Sequence, residues 1–392
     1  MAYRVISADC HMDLPWLPAD LFVSNAPQHL KEKMPRVEET PQGGQWMVEG
    51  RSLGFVGGGS MTGVFDLYVP GHSKRLDRME DVGFFSDAAQ GRLRPSSPEL
   101  RVRDQKLDGI DAEVIYGVLG LAGTTGLGIG EAEESYGIHD REVLVAVYDI
   151  YNEWAADFAK SDRTRLAALG TLCNHDPALA AKQLRRAAEL GLRGAEMNAA
   201  TAVVPIYFKD WDVLWGTAAE CHMPISFHTV GIPTRDPGES RLEEYRWTYT
   251  GMVATVFQLA GAEFLSSILF SGACERHPDF KFVLGECGVG WIPYVLGRMD
   301  DQFDRMQELK LELKPSEYWR RQGHSTFQVE PLTREIVSAV GEDNIMWGSD
   351  YPHPDCVFPD SQQTIEDNLG ALRPEQRYKV ICGNAARLYG FE

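Results

Sequence analysis

Apolar and polar positions along this chain alternate between two periods. Short runs rich in β-branched and aromatic residues give way to stretches with helical spacing, and the exchange repeats. Strands are expected at Tyr3–Asp9, Ala112–Gly117, Leu166–Leu172, Arg193–Met197, Pro224–His228, Phe280–Gly285, His324–Val329 and Asn344–Ser349. Helices are expected at Asp140–Lys160, Pro177–Leu190, Trp211–Cys221, Met252–Glu275, Pro293–Glu312, Leu332–Val340, Ser361–Leu369 and Pro374–Cys382. Gly191 follows the second of these helices, where a left-handed residue ends a helix cheaply.

Strand–helix alternation implies an α/β fold with a parallel sheet. Eight such units predict a closed (β/α)8 TIM barrel, with an open doubly wound sheet as the alternative. Residues 1–392 read as a single β/α-barrel domain without internal repeats. Two stretches break the rhythm. Residues 14–100 are rich in Gly and Pro, including Gly57-Gly58-Gly59, and offer few clean helices. They read as an insertion after strand one that covers the barrel mouth. Residues 229–250, with Pro233, Pro237, Tyr245, Trp247 and Tyr249, form a second loop at the same end. Long irregular loops in compact domains are usually functional; a contact between copies in an oligomer is the other reading.

Composition narrows the function classes. Of 392 residues, 44% are hydrophobic and 24% charged, which suits a globular protein with a large core. The formal charge of −19 argues against a nucleic-acid partner, because a polyanion would be repelled. The seven cysteines are odd in number and none are in C-x-x-C spacing, so reduced thiols in a cytoplasmic protein are expected. No signal peptide is legible at the N-terminus, and no membrane partner is expected.

Three expected strands end in residue types that bind metals. Asp9 and His11 are two apart, so an extended strand projects them from one face. His228 ends the fifth strand and Asp350 follows the eighth. Each alone has a plain structural reading: a turn aspartate, or a histidine bonded to backbone. Together they form a two-nitrogen, two-oxygen set of the kind that holds a divalent ion such as zinc. In a barrel, the C-terminal ends of different strands meet at one mouth. A Gly54-x-x-Gly57 phosphate loop is rejected, since no Lys-Ser/Thr follows it. No G-x-S-x-G nucleophile elbow occurs.

These motifs carry a resemblance. Asp9-Cys10-His11, Ile225-Ser226-Phe227-His228, His277-Pro278-Asp279-Phe280-Lys281-Phe282-Val283, Trp347-Gly348-Ser349-Asp350-Tyr351-Pro352-His353 and Gly383-Asn384-Ala385-Ala386-Arg387-Leu388-Tyr389 are similar to the amidohydrolase-related family. More narrowly they resemble its branch of aminocarboxymuconate-semialdehyde and resorcylate-type decarboxylases. The resemblance implies a distorted barrel with one divalent metal held by Asp9, His11, His228 and Asp350. Zinc is the first expectation, with manganese or magnesium as alternatives. The first motif departs from the H-x-H form, and its carboxylate favours a harder metal. Asp350 would also move a proton.

Where many relatives carry a strand-six His, this chain has Glu286, a candidate general acid/base or partner for a ligand histidine. His353 could reach the site beside substrate, and Arg235 and Arg241 could pair with a substrate carboxylate. The catalytic candidates are thus Asp350, Glu286 and His228. The expected activity is non-oxidative decarboxylation of a small carboxylated, aromatic compound. Hydrolysis by metal-activated water is the alternative, and a non-catalytic metal-binding barrel a further one. A homo-oligomer, dimer or tetramer, is expected.

Overall fold

The computed structural model describes residues 4–58, 67–122, 137–229, 245, 248, 251–306 and 308–391. Among the described residues there are twelve strands: β1 (Ile6–His11), β2 (Arg36–Thr40), β3 (Gly43–Val48), β4 (Arg51–Phe55), β5 (Ala112–Tyr116), β6 (Leu166–Ala168), β7 (Gly170–Leu172), β8 (Ala195–Met197), β9 (Ile225–His228), β10 (Phe282–Gly285), β11 (Gly323–Phe327) and β12 (Ile345–Trp347). One parallel sheet runs β1-β5-β6 and another runs β12-β11-β10-β9-β8-β7. β6 and β7 are two halves of one barrel strand, interrupted at Leu169. The first half pairs with β5 and the second with β8. The ring closes where β1 meets the end of β12. There Asp350 N–H donates to Asp9 O at 2.8 Å and His11 N–H to Tyr351 O at 2.6 Å. The result is the expected α/β barrel of eight staves.

The barrel interior explains the short, nearly unbroken apolar strands. Ile6, Ala8, Val114, Tyr116, Ala167, Leu169, Val283 and Met346 fill it, and Cys382, Ala385 and Tyr389 of the C-terminal segment pack on the same cluster. A larger apolar layer lies between strands and helices, with Trp211, Trp215, Phe227, Phe280 and Trp319 among its members. Helix ends follow their sequence signals. Asp140 accepts from the N–H groups of Glu142 and Val143 and starts the helix Arg141–Lys160. Gly191, at φ 85°, ends Pro177–Leu190.

Three differences from the sequence reading stand out. The insertion contains an antiparallel meander, β2-β3-β4, and helices at Lys74–Asp81 and Phe84–Ala88, and a helix Pro98–Asp108 runs across its end. The expected helix Met252–Glu275 is helical at 251–256, tightens to a 3-10 turn at Phe257–Leu259, and continues as a helix Ala260–Phe270 and a short helix Ala273–Arg276. The stretch expected as Pro293–Glu312 stops at Arg305, and a further helix Pro315–Gln322 follows. Gly251–Phe270 is the one described helical stretch long and apolar enough to cross a membrane, with a mean hydropathy of 1.6. Its Phe264, Leu265, Ile268 and Leu269 are buried in the layer around the barrel.

Candidate metal centre

The four expected ligand residues meet at the C-terminal mouth of the barrel. In the β1–β5 ladder, Ser7 pairs with Glu113 and Cys10 with Ile115, so β1 carries one extra residue. A bulge of this kind re-aims side chains, and here it lies beside Asp9 and His11. His228 ends β9 opposite Gly285 of β10. Asp350 follows β12 at φ 60°, and Glu286 follows β10 at φ 51°. Left-handed backbone at bulky non-glycine residues costs on the order of 1–3 kcal/mol and concentrates at functional sites.

The distances are short. Asp9 Oδ1 lies 3.4 Å from His11 Nε2 and 3.5 Å from His228 Nε2. His11 Nε2 lies 3.0 Å from Asp350 Oδ1. All four residues are at most 5% exposed. Asp9 Oδ1, His11 Nε2, His228 Nε2 and both Asp350 carboxylate oxygens nevertheless have no hydrogen-bond partner among the described residues. An orphaned buried polar atom costs about 1–3 kcal/mol, so five of them in one place need a ligand. His228 Nδ1 sits 2.9 Å from Thr229 O. That contact keeps the proton on Nδ1 and turns the Nε2 lone pair inward, as a ligand histidine requires. Two imidazoles and two carboxylates fit a single divalent cation.

The same atoms charge one another. Burial pushes the Asp9 carboxyl up, but the adjacent His228 and His11 hold it well below the usual carboxylate range. Burial pushes His228 down, and Asp9 overcomes that to raise it to about 10. Without a metal, a proton on His228 therefore balances Asp9. A metal must displace that proton, so affinity rises with pH at every pH below about 10. Displacing one proton strengthens apparent binding by about tenfold per pH unit. Competition with a chromophoric chelator at pH 6 and pH 8 checks this; equal affinity at both contradicts the proton competition.

Sequence reading missed the residues that hold these ligands. Thr326 Oγ donates to Asp9 Oδ2, and the Glu286 N–H donates to the same oxygen at 2.9 Å. Asp9 is thereby oriented with Oδ1 free. Thr326→Val removes one bond while keeping the shape, and lowers metal affinity by about 10–100-fold. The same chelator competition measures it, and unchanged affinity would release Thr326 from that role. Gln328 Nε2 donates to Glu286 Oε1 at 2.9 Å. Asp13 Oδ2 lies 2.8 Å from His353 Nε2, and His353 Nδ1 lies 3.1 Å from Asp350 Oδ1. Of the residues not foreseen, Thr326 and Gln328 are not ligand types, and Asp13, two residues past His11, carried the one available signal.

The other expected site residues divide. Glu286 is buried in the cluster, its Oε2 3.7 Å from His228 Nε2. Burial, Asp350 and Asp355 push its carboxyl well above the usual range. His353 stacks on the His11 ring at 3.8 Å between centroids. Burial pushes His353 down, but Asp350 and Asp13 hold it well above the ordinary histidine value. Arg235 and Arg241 lie outside the described residues.

The chain is similar to several known proteins. A gamma-resorcylate decarboxylase of Polaromonas sp. (strain JS666) is 25% identical over 252 residues, covering 61% of this chain and 74% of its own. The crystal structure of an amidohydrolase from Mycobacterium avium subsp. paratuberculosis superposes with a TM-score of 0.72 at 19% identity, covering 100% of both chains. A dihydroxybenzoic acid decarboxylase structure from Polaromonas sp. JS666, with bound manganese and the inhibitor 2-nitroresorcinol, superposes with a TM-score of 0.59 at 21% identity. It covers 81% of this chain and 94% of that one. The amidohydrolase family model matches residues 128–391, about two thirds of the sequence and all barrel strands from β6 onward. With its ligand-type side chains gathered at the mouth of an eight-stave barrel, the chain belongs to the amidohydrolase family.

Proposed function

We propose that this chain is a metal-dependent decarboxylase of a small aromatic carboxylic acid. The observation that carries the reading is the convergence of five orphaned donor atoms from Asp9, His11, His228 and Asp350. The decarboxylase relatives set the reaction class. A divalent ion bound there supplies positive charge for the substrate's carboxylate and for electron density developing on the ring. Manganese, as in the Polaromonas structure, suits a set with two carboxylates; zinc also fits two imidazoles.

The chain's own residues then manage one proton. Asp13 holds His353 through Nε2, which points Nδ1 at Asp350. In this reading His353 passes its Nδ1 proton to Asp350, and Asp350 delivers it to the ring carbon that bears the carboxylate. The bond from that carbon to the carboxylate breaks, its electron pair restores the ring, and carbon dioxide leaves. His353, one-fifth exposed, recovers a proton from water. Glu286, kept protonated by burial, can donate a hydrogen bond beside His228 without adding charge.

The insertion supports the same site. Phe84 packs edge-on to Tyr351 at 5.8 Å, and Arg78 pairs with Asp360 at 2.8 Å. These contacts favour residues 14–100 as a cover beside Asp350. A carbon dioxide release assay run beside amide and ester hydrolysis assays tests the reading. Carbon dioxide release from a hydroxybenzoate is the expected result; turnover confined to amides or esters overturns it.

A further inference from the structure

Nine buried polar atoms outside the metal-facing set also lack a hydrogen-bond partner among the described residues, and two of the nine belong to side chains that flank Gly117. They are Tyr151 Oη and Glu196 Oε2, on side chains no more than 1% exposed. Both lie against Gly117, just past the end of β5. Glu196 Oε1 accepts from the Gly117 N–H at 2.9 Å and from Thr171 Oγ at 2.8 Å. A Cβ at Gly117 would stand 2.6 Å from Tyr151 Oη. The missing side chain is what lets the phenol reach the strand end.

This polar corner adjoins the metal centre. Thr171 pairs with Glu196, and Glu196 with Ser226, across β7, β8 and β9, so the three share one face. Ser226 Oγ bonds to Tyr116 Oη at 3.1 Å, and the Tyr116 ring packs on His228 at 5.0 Å. The shared face is therefore the barrel interior beside a candidate ligand.

We propose that Tyr151 and Glu196 form a subsite for a ring hydroxyl of the substrate. The proposal rests on the decarboxylase reading and deepens it. A hydroxyl suits the pair because it can donate to Glu196 Oε2 and accept from Tyr151 Oη at once. A second substrate carboxylate would meet Glu196 beside a cluster already holding the carboxylates of Asp9, Asp13 and Asp350. Burial pushes Glu196 up to about 7, which lets it donate as well as accept near neutrality.

Calorimetric titration of the manganese-loaded protein tests the subsite. The probes are 2-hydroxybenzoate and the isomeric dihydroxybenzoates that retain its 2-hydroxyl. At least one isomer is expected to bind about tenfold or more tightly than 2-hydroxybenzoate, the worth of a good buried hydrogen bond. Tyr151→Phe should bring that ratio to about twofold or less, leaving 2-hydroxybenzoate affinity and manganese content unchanged. Glu196→Gln, which keeps an acceptor, should lower the ratio less. A wild-type ratio near one for every isomer, or a ratio that survives both variants, overturns the proposal and assigns the two atoms to trapped water. Carbon dioxide release from the same compounds is scored separately. Discrimination without release defeats the decarboxylase reading and leaves the subsite; release without discrimination does the reverse.

Discussion

Asp350→Asn lowers carbon dioxide release by about a thousandfold or more and leaves the barrel folded. The substitution keeps the shape of a side chain that is 0% exposed. It removes the charge that faces His11 at 3.0 Å and His353 at 3.1 Å. It also removes the atom placed to carry a proton to the substrate, and a positioned acid of this kind contributes about 10²–10⁴-fold. Burial pushes the Asp350 carboxyl up, while His353 and His11 hold it well below its usual range. An amide is a poorer ligand for a divalent cation than a carboxylate, so metal occupancy should fall as well. Steady-state rates with metal analysis on the same sample separate the effects. A variant with full activity would remove Asp350 from both roles.

Gly348→Ala should damage the site without touching a ligand. A Cβ at Gly348 would lie 2.9 Å from Asp9 N and 3.1 Å from Asp9 Cα, and closer still to Asp9 Cβ. These are mostly backbone atoms of a strand end and cannot swing aside. The seam between β1 and β12 must open, and it carries Asp9, His11 and Asp350. Overpacking of this kind costs about 1–3 kcal/mol, and displaced ligands should lose about tenfold or more in metal affinity. Gly297→Ala is the control. It lies inside the helix Ile292–Arg305 with nothing within 4 Å, so it should gain about 1 kcal/mol in stability and keep metal affinity. Denaturant unfolding and chelator competition on both variants read the contrast; equal behaviour would deny the seam its role.

The barrel was legible because each stave is a short apolar run bounded by a helix with its own caps. Asp140 and Gly191 are cases where one residue type fixes a boundary. The meander was not legible because Gly43, Gly44 and Gly50 looked like loop, although they are the turn and close-packing glycines of β2-β3-β4. The helix Pro315–Gln322 was lost because its neighbour looked continuous through Glu312. At the site, strand-end position picked out Asp9, His11, His228 and Asp350, which the fold links through contacts of 3.0–3.5 Å, Asp9 with His11 and His228, and His11 with Asp350. Thr326 and Gln328 carry no such signature. Their parts depend on which side chains stand across from them, which only the closed barrel determines.

Metal dependence of carbon dioxide release is the most direct test. Protein stripped with a chelator should lose the activity while keeping its fold. One equivalent of manganese or zinc per chain should restore it, with no further gain from a second. Undiminished carbon dioxide release from metal-free protein would contradict the central claim that Asp9, His11, His228 and Asp350 hold the ion on which the reaction depends.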